Sequence, residues 1–400
     1  MKSWKVSFTA LMIAQLLAIS GFGFTNPIIP LFLSEEIGIA DPVKLKAWVG
    51  AISAISSLMM AVFAPIWGHL ADTFSRKAML LRAMFGGAAV ISLMSFVNAP
   101  WQLLVLKTIQ GCLTGTVTAA TVITVGIAPA AQVAFALGLL QTGIAIGNSL
   151  GPLIGGFIGD FLGYRANFIS TSAVLAIAGL LVLKFVEDSS QPAAKTEKKK
   201  KLSIIPDFRP IAGSSILLTM MMVRFGINIA LNTISPMLSL FIMELVRGGS
   251  ADSAFVGSST GIVLGASAAS TAVAAILVGK FSPRLGYRRA LILCLTAGCF
   301  FIIPQTFVQN VAQLVVLRIL SAFFLGGATP VISAIIAISS DKKSQGMIYG
   351  LNSSVGSAGN ALGPVIGSAA AMISYRAVFM VSAAVLALFS WQLLRRRNTG

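Results

Sequence analysis

The chain has 400 residues, of which 56% are hydrophobic and only 10% charged. A water-soluble domain carries about 25% charged residues, so these proportions exclude a soluble globular protein and leave an integral membrane protein. The net charge of +17 does not point to nucleic acid, because the lysines and arginines fall in short segments between apolar runs.

Those runs predict an all-α membrane protein of twelve transmembrane helices, near 8–33, 47–71, 78–97, 101–124, 133–158, 164–186, 209–243, 254–280, 287–307, 311–337, 345–370 and 374–394. They are long and lack the polar–apolar alternation of barrel strands. Lys2 and Lys5 precede the first run as in a signal peptide, but it continues to Leu33 without a small-residue cleavage site and reads as a retained span. A hydrophilic stretch containing SSQPAAKTEKKKK follows the sixth span. It divides the chain into a six-helix half at 1–186, a linker at 187–208 and a second six-helix half at 209–400.

Placing both termini on one side puts 21 of the 29 basic residues on that side, including Arg76, Lys77, Arg284, Arg288 and the run Arg395–Arg397. The positive-inside rule then makes this side cytoplasmic in a cell membrane. Cys112, Cys294 and Cys299 lie in apolar stretches without CxxC spacing and read as core residues rather than metal ligands. No Walker A, HExxH or serine-nucleophile signature supports an enzyme.

The two halves resemble each other. GNSLGPLIGG in the fifth span matches GNALGPVIGS in the eleventh, with Gly147 and Gly359, like Gly151 and Gly363, 212 positions apart. Gly147, Gly151 and Gly155, and again Gly359, Gly363 and Gly367, share a helix face at four-residue spacing. Pro152 and Pro364 each remove an amide hydrogen and predict a local kink. Lys107 pairs with Arg318, and Tyr164-Arg165 with Tyr375-Arg376, at an offset of 211. An even number of spans per half makes the repeats parallel, related by an axis along the membrane normal. Gly257, Gly261 and Gly265 in the eighth span, and more weakly Gly50 and Ala54 in the second, add small-residue stripes. Spans two, five, eight and eleven are therefore expected to join the halves, with the two glycine-proline motifs at that seam. The alternative is that small residues are simply common in membrane helices and the prolines merely shape packing.

Lys107, Arg224 and Arg318 lie inside predicted spans, where an ionised group is costly unless it faces protein or water, which marks them as site residues. The acidic residues all fall in loops or at span ends, so no embedded carboxylate is evident.

At Gly68 the second span runs into GHLADTFSRKAMLLR, matched by GKFSPRLGYRR from Gly279 in the second half. These segments resemble the loop signature of the major facilitator superfamily. GNSLGPLIGG resembles the fifth-helix signature of its twelve-helix drug:proton antiporter branch, a group of multidrug efflux transporters. The resemblance covers essentially the whole chain, with Thr73 and Ser75 replacing the usual basic residue and glycine, and Pro283 replacing the second aspartate. It implies a cytoplasmic gate involving Gly68, Asp72 and Arg76, with Gly279 and Arg284 at the matching place. It also implies a substrate cavity walled by spans one, four, seven and ten. Gln15, Asn26, Lys107, Gln110, Thr114, Met221, Arg224, Asn228, Asn232 and Arg318 are the candidates there. Lys107 stands where the family has a fourth-helix arginine implicated in proton movement, and Glu35 and Glu244 are reserve coupling groups. The expected activity is export of small amphipathic compounds in exchange for protons, by a monomer in the lipid bilayer with no cofactor and no nucleic-acid partner. Transport of an organic anion or sugar-like metabolite is the alternative, and a non-transporting membrane sensor a more distant one.

Overall fold

The computed structural model describes residues 4–73, 75–187, 214–248, 255–340 and 345–395, with side chains described except at 64–66, 68–73, 130, 247–248, 345–347 and 395. Among these residues the fold is helical throughout, with no strand. Eleven segments are long and apolar enough to cross a membrane. A twelfth, the 29-residue helix Gln345–Ile373, carries several serines, glycines and asparagines and runs between the second and seventh spans. The predicted linker lies outside the described residues apart from Glu187.

Proline and glycine set where the spans break. The first span is helical over Trp4–Phe24, turns at Thr25–Ile28 and resumes at Ile29–Leu31 and Phe32–Glu36. The seventh does the same, Ser215–Ile234 giving way to a short tighter turn at Ser235–Met237 and then Leu238–Gly248. Pro27 and Pro236 sit in the two breaks, where each removes a helical donor. The fourth span is split into Pro100–Leu113 and Thr116–Ile127 by Gly115, whose φ of +140 is open to glycine and strained for other residues. Gly326 occupies the matching place in the tenth span, yet Val311–Ser339 is one continuous helix.

Neither Gly68 nor Gly279 ends its helix. The second span stays helical through Gly68 to Thr73, and the eighth stays helical through Gly279 and Pro283 to Leu285. The chain turns instead at Gly286, with φ +80. Gly279 needs no special conformation, so the glycine in the sequence pattern does not mark the helix end.

Spans one to six pack as one bundle and seven to twelve as another, and at one end of the molecule lie the basic segments. There, Lys77 Nζ donates to the Leu183 carbonyl at 2.9 Å, and Arg288 Nη2 donates to the Leu393 carbonyl at 3.2 Å. Each cation thus closes the last turn of its half's final helix, where unpaired carbonyls and the helix dipole favour positive charge.

Candidate functional site

The glycine-proline motif has two working faces. Gly147, Gly151 and Gly155 turn inward to the first span of their own half, and a methyl group added to Gly151 would lie 2.7 Å from the Ser20 carbonyl oxygen. Gly359, Gly363 and Gly367 press equally closely on the seventh span, with Asn232 Cβ 2.7 Å from such a methyl on Gly363. The expectation that these glycines form the seam between halves is therefore corrected: they lock each seam helix to its own half. The seam itself uses the neighbouring face. The Pro152 carbonyl lies against Gly261, Gly156 lies on Gly257, and Ser149 lies on Gly265. In the other pair the Pro364 carbonyl and Ser368 lie against Gly50. Helices two and eleven, and five and eight, do meet as the small residues suggest, because removing Cβ lets backbones touch.

Hydrogen bonds across the seam gather at the end opposite the basic segments. Both oxygens of Asp160 accept from the first amides of the eighth span, Gly257 N at 3.0 Å and Ser258 N at 2.6 Å. Lys46 Nζ donates to the Ala371 carbonyl, near the end of the eleventh span, at 2.8 Å, and Ser368 Oγ donates to the Lys46 carbonyl at 2.7 Å. A negative group thus meets a helix N-terminus on one side of the molecule and a positive group meets a helix C-terminus on the other, both favourable to the helix dipole. Ser239 Oγ also joins the broken turns of spans one and seven by donating to the Pro27 carbonyl at 2.8 Å. At the basic end, added methyls on Gly138 and Gly350 of the seam helices would meet nothing within 4 Å.

Between spans one and four the structure assembles a polar group in the first half. Gln15 Nε2 donates to Thr116 Oγ1 at 3.2 Å, just past the helix break, and the Gln15 side chain is fully buried. Lys107 is buried, with Thr25 Oγ1 3.5 Å from its ammonium. Gln110 is buried with Oε1 unpartnered, and Thr114 caps the break by donating to the Gln110 carbonyl at 2.7 Å. The break leaves carbonyls free, and two are taken up by neighbours: Trp67 Nε1 donates to Cys112 and Arg82 Nη2 to Leu113. The Arg82 guanidinium lies 3.2 Å from the centre of the Trp67 ring. Arg82 is thus a bundle residue.

In the second half Arg224 Nη1 donates to Thr329 Oγ1 of the tenth span at 2.7 Å. Asn228 Nδ2 donates to the Arg224 carbonyl at 3.0 Å, and Asn232 Nδ2 donates to Asn360 Oδ1 at 2.9 Å. The asparagine of the second glycine-proline motif therefore belongs to this polar group. Arg318 is 5% exposed and its Nε has no partner, as is also true of Arg224 Nε. Met221 is 4% exposed and packs in the core, while its neighbour Met222 is 46% exposed. Asn26 is exposed in the turn of the first span.

Of the remaining candidates, Glu35 accepts from Tyr164 Oη at 2.7 Å, next to an Arg165–Glu36 ion pair at 3.2 Å. Glu244 is exposed at the far end of the seventh span. Arg76 begins the third span behind the Ser75 cap, Arg284 is exposed beside the Phe281 ring, and the surroundings of Gly68 and Asp72 lie outside the described residues. Among the described residues the acidic side chains stand at span ends, in contrast to Lys107, Arg224 and Arg318. Sequence reasoning missed Thr25, Thr116 and Thr329, the hydroxyls that meet these buried groups. It also missed Asp160 as a cross-seam group. Its place just after the glycine motif was the available signal.

A sequence model of the Major Facilitator Superfamily matches residues 11–262 and 250–399. The chain belongs to this superfamily. Among curated relatives, "Multidrug resistance protein MdtG" of Salmonella paratyphi A is 32% identical over 99% of this chain and 97% of its own length. The protein of the same name from Citrobacter koseri is 33% identical over the same shares. Solved superfamily structures share the fold. The nucleoside transporter NupG, as a point mutant, aligns with a TM-score of 0.84 at 14% identity, covering 98% of this chain and 100% of its own. A bacterial homologue of the human lysosomal transporter Spinster, inward-facing and unoccupied, gives 0.80 at 14% identity, covering 98% of this chain and 97% of its own. As a member of this superfamily the protein is a membrane-embedded transporter of small molecules and not an enzyme.

Proposed function

We propose that this protein exports small amphipathic compounds, drugs among them, from the cytoplasm in exchange for protons, by alternating access. The observation that carries the proposal is the match over essentially the whole chain to relatives named as multidrug resistance proteins. The seam supports alternating access, because it is bonded at one end and open around Gly138 and Gly350 at the other. The basic end is cytoplasmic, by the positive-inside rule, and with it both termini. The bonded end is then extracellular and the structure is the inward-facing state. The transporter works as a monomer in the cell membrane, since each half already buries its partner's seam face.

Proton coupling runs through Lys107 in this proposal, a buried amine with a single hydroxyl for company, and Glu35 and Glu244 are its alternatives at the extracellular end. The test is drug flux by purified protein in liposomes under an imposed pH gradient. Efflux should accelerate when protons are more concentrated on the receiving side. Flux indifferent to the gradient would sink the coupling while leaving export standing.

One observation favours a second substrate class. Lys107, Arg224 and Arg318 are intramembrane cations without a described carboxylate beside them, and a buried charge is stable only when something compensates it. An organic anion supplies that compensation. Movement of any solute by the purified protein excludes a non-transporting sensor.

A further inference from the structure

A cavity of about 770 Å³ opens at the basic end of the second half, between the first turns of spans seven and nine and the last turns of spans ten and twelve. Its walls are apolar, with Met220 and Ile335 inside. Ile216 and Ile338 stand at the mouth, 54% and 69% exposed. Tyr287 and Arg288 form a polar edge. Among the described residues, none of Lys107, Arg224 or Arg318 lines it, and the lining residues belong to one half. A solute carried by rocking of the halves passes between them, so this cavity is off the transport route.

We infer that this cavity is a binding site for an anionic phospholipid of the adjoining leaflet. Its volume falls in the range of small-ligand pockets, and an apolar chamber at the level of the membrane surface matches acyl chain. Exposed isoleucines at the mouth let a chain enter sideways from the bilayer. The edge reads the headgroup: Arg288 spends one N–H on the Leu393 carbonyl, which fixes its guanidinium and leaves the remaining donors exposed. Lys280, Arg284 and Arg289 neighbour it in sequence with no acidic residue from 280 to 289, so the charge of this segment complements a phosphodiester anion. The corresponding corner of the first half offers Lys77 in the same capping role, but a point charge instead of a planar fork.

The test uses full-length protein in phosphatidylcholine vesicles doped with photoactivatable phosphatidylglycerol or, separately, photoactivatable phosphatidylcholine, with adducts mapped by mass spectrometry. Phosphatidylglycerol should label peptides containing 215–220 and 335–339 in preference to phosphatidylcholine. Arg288→Gln should cut that labelling about five-fold, the loss of one basic contact at an anionic surface, and Ile335→Trp should lower it by obstructing the chamber. Lys77→Gln should leave it unchanged, which separates loss of the site from loss of the fold. Equal labelling by both lipids, or labelling insensitive to Arg288→Gln, overturns the assignment. So does labelling of the cavity by a photoreactive drug that neither lipid displaces.

Discussion

Arg318 and Lys107 show what one buried cation can decide. They are equivalent by the internal repeat, both nearly inaccessible, and poorly supplied with partners: a hydroxyl at 3.5 Å for Lys107 and an idle Nε for Arg318. Leaving a buried charge short of partners costs several kcal/mol, so either group gains most from a substrate or proton that changes its charge balance. If they bind an anion, Lys107→Gln and Arg318→Gln should each weaken uptake of anionic substrates into inside-out vesicles by about ten-fold or more while leaving cationic drugs nearly unaffected. Equal losses for both charge classes would assign Arg318 to structure and leave Lys107 to proton coupling or structure. These two residues were legible in the sequence, because an ionised side chain in an apolar run stands out. The hydroxyls of the two polar groups were not: Thr25 beside Lys107, Thr116 beside Gln15 and Thr329 beside Arg224 look like any membrane threonine until the fold brings spans one and four, or seven and ten, together.

At the scale of the element, the glycine-proline helix is a two-sided part. Its i, i+4, i+8 glycines bind it to the first or seventh span, and the residues one position on, Gly156 and Ser368, meet the other half. Substitutions on the two faces should therefore fail differently. Gly363→Val forces backbone and Asn232 apart within a half and should lower thermal stability by about 1–3 kcal/mol, as overpacking does, measured by unfolding in detergent. Gly156→Val instead collides with Gly257 across the seam. It should leave each half folded while raising cysteine labelling at the end opposite the basic segments. Equal destabilisation by both would contradict this division. The sequence showed the stripe and its repeat, but spacing alone cannot say which neighbour a small face meets. Every span around this helix is apolar, so only the tertiary arrangement assigns its contacts.

For the whole molecule, the closure at the end opposite the basic segments rests on few polar groups. Asp160 and Lys46 each grip the end of a helix in the opposite half, one carboxylate on amides and one ammonium on a carbonyl. Asp160→Asn removes the charge from two such bonds and should shift the balance toward the outward-open state by about ten-fold, the worth of ~1.5 kcal/mol for a charge-assisted hydrogen bond. Spin-label distances between the outer ends of spans five and eight would read that shift. An unchanged distance distribution would remove Asp160 from the closure. Twelve spans and two halves could be read from hydropathy and the repeat, since both follow from composition along the chain. The facing state could not, because it depends on which of two packings of the same surfaces is occupied. The repeat is also imperfect where it matters for motion. Gly115 and Gly326 hold matching positions, but Gly326 is pinned against Thr271 while nothing lies within 4 Å of where a Gly115 side chain would be. In mechanical terms the fourth span is an elbow and the tenth a strut, so two halves of common ancestry take up bending strain unequally.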